Sequence, residues 1–137
     1  MEKADSVSTS GVSLRWGQRI PLRDGTHLNA TVYLPRWQAA PAPAIITITP
    51  YIGQTYHDAA MYFTARGYPF LCVDVRGRGN FEGVFTPNIN EARDGHDAVE
   101  WVAAQPFCNG KVSMWGASYS GYAQWATARE APRIALA

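Results

Sequence analysis

Ser118 has the most pointed chemical context in this sequence. It stands in MWGASYSG, residues 114–121, with Gly116 two places before it, Ser120 two places after and Gly121 next. A serine flanked by small residues, after a short apolar run and before a helix, fits a hydroxyl held out on a sharp strand-to-helix turn. Backbone crowding at such a turn demands small neighbours. The first turn of the following helix aims N–H groups at the same spot, where they suit a developing oxyanion. The chemistry would be nucleophilic attack on an acyl carbonyl. The usual pentapeptide is G-x-S-x-G; here the second glycine comes one place late and Ser120 fills its slot. That slot is a packing position, so Ser120 is the lesser candidate. Ser113 lies within the preceding strand and reads as structural. The competing reading of the whole stretch is an ordinary small-residue loop.

Other chemistry-bearing residues invite weaker readings. VDVRGRG, residues 73–79, could suggest RNA contact, but it is one short copy in a chain with 12 Lys+Arg against 11 Asp+Glu. Gly77 and Gly79 hint at a dinucleotide loop, yet no helix follows and the third glycine is misplaced. Asp74, Arg76 and Arg78 read as a structural connection with an Arg–carboxylate network at the edge of the site. Glu91, Asp94 and Asp97 read as helix-capping acids that join it. Cys72 sits in an apolar run and reads as core, Cys108 as a loop residue, and nothing supports a disulfide between them. With no CxxC and no His cluster, no metal site is expected. No cofactor is expected either.

The elements that must position Ser118 follow from hydrophobic patterning. Residues 1–12 read as a flexible terminus. Two strand-like runs flank Asp24-Gly25, a hairpin signal. AIITIT at 44–49 and FLCVDV at 70–75 are apolar on both faces, as strands in the middle of a sheet are. HDAAMYFTARG reads as a helix with Ala59, Tyr62, Phe63 and Arg66 at helical spacing and Gly67 at its end. A second helix is expected over 91–105, a strand over KVSMW at 111–115, and a helix over YAQWATARE closing at Pro132. A hairpin followed by β-α-β-loop-α-β-turn-α implies an α/β fold, a mostly parallel sheet with helices on both faces.

Composition sets the outer limits. The chain has 137 residues, 47% hydrophobic, with a formal charge of +1. That length suits one packed domain, and the charge balance gives no reason to expect nucleic acid or an anionic membrane as partner. No apolar run approaches the roughly 20 residues that span a bilayer. MEKADSVSTSG lacks a hydrophobic signal region, so a cytoplasmic protein is expected.

Several stretches together resemble one family: IPLRDGTHLNATVYLP (20–35), TPY (49–51), VDVRGRGNFEG (73–83) and EARDGHDAVEWVAAQPFCNGKVSMWGASYSGYAQW (91–125). They are similar, in the same order, to the X-Pro dipeptidyl-peptidase family, which includes cocaine esterase and the α-amino-acid ester hydrolases. The resemblance implies an α/β-hydrolase fold, a Ser-Asp-His triad and cofactor-free cleavage of small ester, amide or peptide substrates. It implies Ser118 as nucleophile, with oxyanion donors from the Tyr119 backbone N–H and the Tyr51 phenol. Without it, Tyr51 reads as a packing aromatic beside Pro50.

One expected part is missing. In this fold the acid and the histidine follow the nucleophile in the chain. The nineteen residues after Ser118 contain neither His nor Asp, and His27, His57 and His96 all precede it. Of these only His57, opening a helix near Tyr51, is a candidate neighbour of the site. The sequence therefore reads as the N-terminal part of a longer enzyme, with 13–137 a partial α/β-hydrolase domain. The expectation is a serine hydrolase unable to turn over fully by itself, with an unpaired sheet edge at 111–115 that invites self-association. The alternative is an inactive truncated homologue acting, if at all, as an interaction module.

Overall fold

A computed structural model describes residues 11–78 and 83–130. The expected flexible residues 1–10, the middle of the 76–90 loop and the helix stop at Pro132 lie outside them. The strands are β1 (Val12–Pro21), β2 (His27–Pro35), β3 (Ala42–Thr49), β4 (Phe70–Asp74) and β5 (Cys108–Met114). A 3-10 turn (Gly53–Tyr56) leads into helix α1 (His57–Thr64); α2 is Glu91–Ala103 and α3 is Tyr119–Arg129. Val12, placed by sequence in the frayed terminus, is buried and opens β1.

The five strands form one mixed sheet in the order β1-β2-β4-β3-β5. β1 and β2 are the antiparallel hairpin, and β2 pairs antiparallel with β4. β3 lies between β4 and β5, parallel to both. β3 and β4 are covered on both faces, so their apolar runs are buried throughout, Ile46, Leu71 and Val73 among them. One face carries α2 and α3 through Ala98, Val99, Val102 and Ala123. The other carries α1 through Ala60, beside Tyr33, Phe70 and Cys72.

Three boundaries differ from the sequence reading for physical reasons. β5 begins at Cys108, not Lys111, because a bulge at Gly110 (φ 91°) carries the pairing with β3 back to Ala42. Cys108 is therefore a buried strand residue rather than a loop residue, with its thiol toward the Lys111 carbonyl at 3.5 Å. α3 starts at Tyr119, so half of GASYSG is already helical. α1 ends at Thr64 and faces the core with Ala60 and Thr64; Tyr62 lies outside, under the Arg66 guanidinium at 3.6 Å.

Among the described residues β5 is an edge strand, paired on one side only. No helix is long and apolar enough to cross a membrane among those residues.

Candidate active site

Ser118 occupies the junction between β5 and α3. Its backbone has φ 56° and ψ −123°, a conformation that L-residues rarely adopt. Among the described residues the one other non-glycine with positive φ is Asn88, at 64°. The Ser118 side chain is exposed and makes no capping hydrogen bond to the helix it precedes. The strained residue is therefore exposed and does not cap α3 through its side chain.

The small residues around it have separate tasks. Gly116 has φ 141°, and a Cβ there would come within 2.5 Å of the Ser120 Cβ and 3.1 Å of the Thr47 hydroxyl. Ser120 is fully buried, its hydroxyl 2.8 Å from the Tyr56 phenol. It fills the usual glycine slot as a packing residue. A Cβ at Gly121 would meet only the Gly116 carbonyl, at an ordinary 3.6 Å, so the late glycine is not what the turn requires.

Main-chain donors gather at the same corner. The N–H groups of Gly121 and Tyr122 donate to the Ser118 carbonyl, and that of Ser120 to the Ala117 carbonyl. Among the described residues the Tyr119 N–H has no backbone acceptor. It is the orphan donor of the first helical turn, directly after the serine.

Tyr51 leaves the sheet beside this corner. β3 and β5 are adjacent and parallel, Ile46 pairs with Met114, and the Trp115 N–H donates to the Ile46 carbonyl at 3.0 Å. Both chains therefore exit at the carboxyl ends of neighbouring strands, where ligands bind in such sheets. The Tyr51 N–H donates to the buried Thr49 hydroxyl at 2.9 Å, which fixes its backbone, and its ring is 46% exposed. Tyr51 and Tyr119 line one open cleft of about 500 Å³ with Arg78, Phe85, Asn88 and two prolines. Ser118 is not among the residues that line it; it stands next to Tyr119 on the turn that delivers Tyr119 there.

The Tyr119 phenol is spoken for. It donates to the Glu91 carboxylate at 2.5 Å and accepts from the Asn88 N–H at 3.0 Å. Burial first, and the Glu91 carboxylate second, push its pKa up to about 12, so it stays a neutral donor at ordinary pH. Only its main chain is free to serve as an oxyanion donor. The Glu91 role escaped sequence reasoning, which took Glu91, Asp94 and Asp97 as one capping and network set. Glu91 instead holds Tyr119, and its other oxygen is buried without a partner among the described residues. Asp94 takes two bonds from Arg76, at 2.7 and 2.8 Å. Asp97 belongs to a separate pair with Arg23, at 2.8 Å. The N-cap itself is Asn90, with no side-chain cap.

The expected Arg–carboxylate network is thus centred on Arg76, which also reaches Asp24 at 2.9 Å. Asp74 stands outside it. Burial raises its pKa, opposed by bonds from the Asn29 amide and the Gly53 N–H.

No imidazole is placed to receive the Ser118 proton. His57 is 2.9 Å from the Tyr33 phenol, on the α1 side of the sheet, which answers the suggestion that it adjoins the site. His27 lies 3.3 Å from the Arg19 guanidinium and His96 3.4 Å from that of Arg23. Among the described residues, no group of three or more His, Cys, Asp or Glu could hold a metal ion.

Comparison with known proteins agrees with this architecture. Residues 24–136 match the model of the X-Pro dipeptidyl-peptidase (S15) family. The chain is similar to cocaine esterase of Rhodococcus sp. (strain MB1 Bresler), 32% identical over 115 residues, covering 80% of this chain and 20% of that protein. It is also similar to a thiohydrolase of Arthrinium phaeospermum, 31% identical over 120 residues, covering 82% of this chain and 38% of that one. Among solved structures it resembles an α-amino acid ester hydrolase, with a TM-score of 0.77 and 26% identity, over 89% of this chain and 24% of the other. The chain thus spans about a fifth to two fifths of the relatives it matches.

Proposed function

The chain belongs to the X-Pro dipeptidyl-peptidase (S15) family, and from that premise we propose that it carries the nucleophile and oxyanion donors of a serine hydrolase acting on small ester, amide or peptide substrates. The observation that carries this reading is the strained, outward backbone of Ser118 at the strand-to-helix corner. Family membership supports hydrolase chemistry in general; the residue roles are the proposal.

The proposed steps are those of acyl transfer through a serine. The Ser118 Oγ attacks the acyl carbon and gives its proton to a base. The carbonyl π-electrons move to oxygen, and the resulting oxyanion is met by the Tyr119 N–H and the Tyr51 phenol. Collapse expels the leaving group, which takes that proton from the base, and an acyl-serine remains. Water then attacks with the same base assisting, releasing the acid and restoring the hydroxyl.

All three imidazoles are engaged elsewhere, so none of them is proposed as the base. Without a base the site is expected to turn over weakly. The same engagement supports a second reading, a non-catalytic interaction module that associates through the outer edge of β5. On either reading 13–137 act as one unit and a cytoplasmic setting is proposed.

Fluorophosphonate labelling separates the two. The expected result is one adduct at Ser118, formed slowly, accelerated by added imidazole as an external base, and absent in Ser118→Ala. Labelling that persists in Ser118→Ala refutes the assignment. No labelling with or without imidazole favours the interaction module.

A further inference from the structure

The cleft beside Ser118 has an asymmetric charge. Of the described residues that line it, Arg78 is the one charged at neutral pH, and none is a carboxylate. The rest of its wall is apolar ring and proline surface plus Asn88. Glu91 is not among the lining residues and accepts from the Tyr119 phenol.

Arg78 is also held in a particular way. Its guanidinium lies over the Phe85 ring at 4.5 Å from the centroid. Stacking of this kind satisfies the face of the guanidinium and leaves its N–H edge open to an acceptor. The other arginines of this region are consumed. Arg76 binds Asp94 and Asp24, and Arg23 binds Asp97. Among the described residues no carboxylate pairs with Arg78. A stacked arginine beside a cleft lined by rings and prolines, with no acid partner among the described residues, is arranged to receive an anion from outside.

We propose that this cleft binds a carboxylate-bearing acyl compound, with Arg78 receiving the carboxylate and the Phe85, Tyr51 and proline surfaces receiving its apolar body. That the bound compound is a substrate rests on the reading of Ser118 as nucleophile; the anion preference itself does not. The carboxylate belongs either to the acyl side of a hemiester or to the leaving side of an amide, and the two are separable by which product is released.

Binding tests it without turnover. Backbone amide NMR shifts of the protein are followed during titration with hippurate, its neutral methyl ester and the cationic ester benzoylcholine. Hippurate is expected to move the Tyr51, Phe85, Asn88 and Tyr119 amides and to bind about fivefold more tightly than its methyl ester, the size of an exposed charge-assisted pair. Benzoylcholine is expected to bind more weakly than both. The preference should shrink as salt is added. Arg78→Gln should equalise hippurate and its ester, and Arg78→Lys should keep part of the difference. Arg78 is exposed, so both variants are expected to retain the fold, and the same spectra verify it. Equal affinity for hippurate and its ester in the native protein overturns the proposal. So does a preference that survives in Arg78→Gln, or hippurate binding only away from these amides. Fluorophosphonate labelling of Ser118 reports separately on the nucleophile, so either reading can fail while the other stands.

Discussion

Replacing Ser118 with glycine should make this protein more stable while removing the proposed nucleophile. At φ 56° and ψ −123° the serine is in a region open to glycine and costly for other residues. Strain of this kind costs on the order of 1–3 kcal/mol. Ser118→Gly relieves it but gives the unfolded chain more freedom, a loss of about 0.4–1 kcal/mol. The net expectation is a gain of roughly 0.5–2 kcal/mol, or about 2–8 °C in Tm for a chain of this size. Ser118→Ala is the control. It keeps the strained Cβ, and because the hydroxyl makes no capping bond, its stability should stay within about 0.5 kcal/mol of the native protein. Urea denaturation with both variants side by side measures the difference. If Ser118→Gly is no more stable than Ser118→Ala, the corner is unstrained and the argument from backbone to nucleophile loses its basis.

Two further outcomes are expected. Tyr119→Phe leaves Glu91, already short of one partner, with a buried carboxylate lacking its phenol donor. It should cost about 1–3 kcal/mol in denaturation, while fluorophosphonate still labels Ser118, because the backbone N–H remains. For Asp97, burial opposes ionisation, but side-chain and backbone hydrogen bonds from Arg23 outweigh it and hold the pKa below the ordinary carboxylate value. A depressed folded pKa contributes stability above the unfolded value, near pH 4, that is lost as pH falls through the folded one. Asp97→Asn should therefore have a lower urea midpoint than the native protein at pH 7, and the gap should close in acid.

The sheet was legible because its central strands are buried on both faces, and AIITIT and FLCV carry no charged side chain. The corner was legible for a different reason: Gly116, Ser118 and Ser120 stand as small residues between a strand-like run and a helical one. Other features were hidden by distance along the chain. The partner of Tyr119 is Glu91, 28 positions away, and an acid in the first turn of a helix reads as favourable to the dipole with no partner at all. The start of β5 was obscured by Asn109-Gly110, which signals a turn but forms a bulge that keeps Cys108 paired to Ala42. His57 looked close to Tyr51 in sequence. The 3-10 turn between them, however, leads the chain to α1, on the face where Tyr33 lies.

Gly95 on α2 faces Thr127 on α3 so tightly that a methyl group there would run into the threonine side chain. The helix that begins at Ser118's corner is thus keyed to a notch in another helix, 32 positions upstream in sequence. Segment 119–129 of this chain, moved into a homologous protein with any side chain at position 95, would meet that side chain at Thr127, so residue 95 must travel with it.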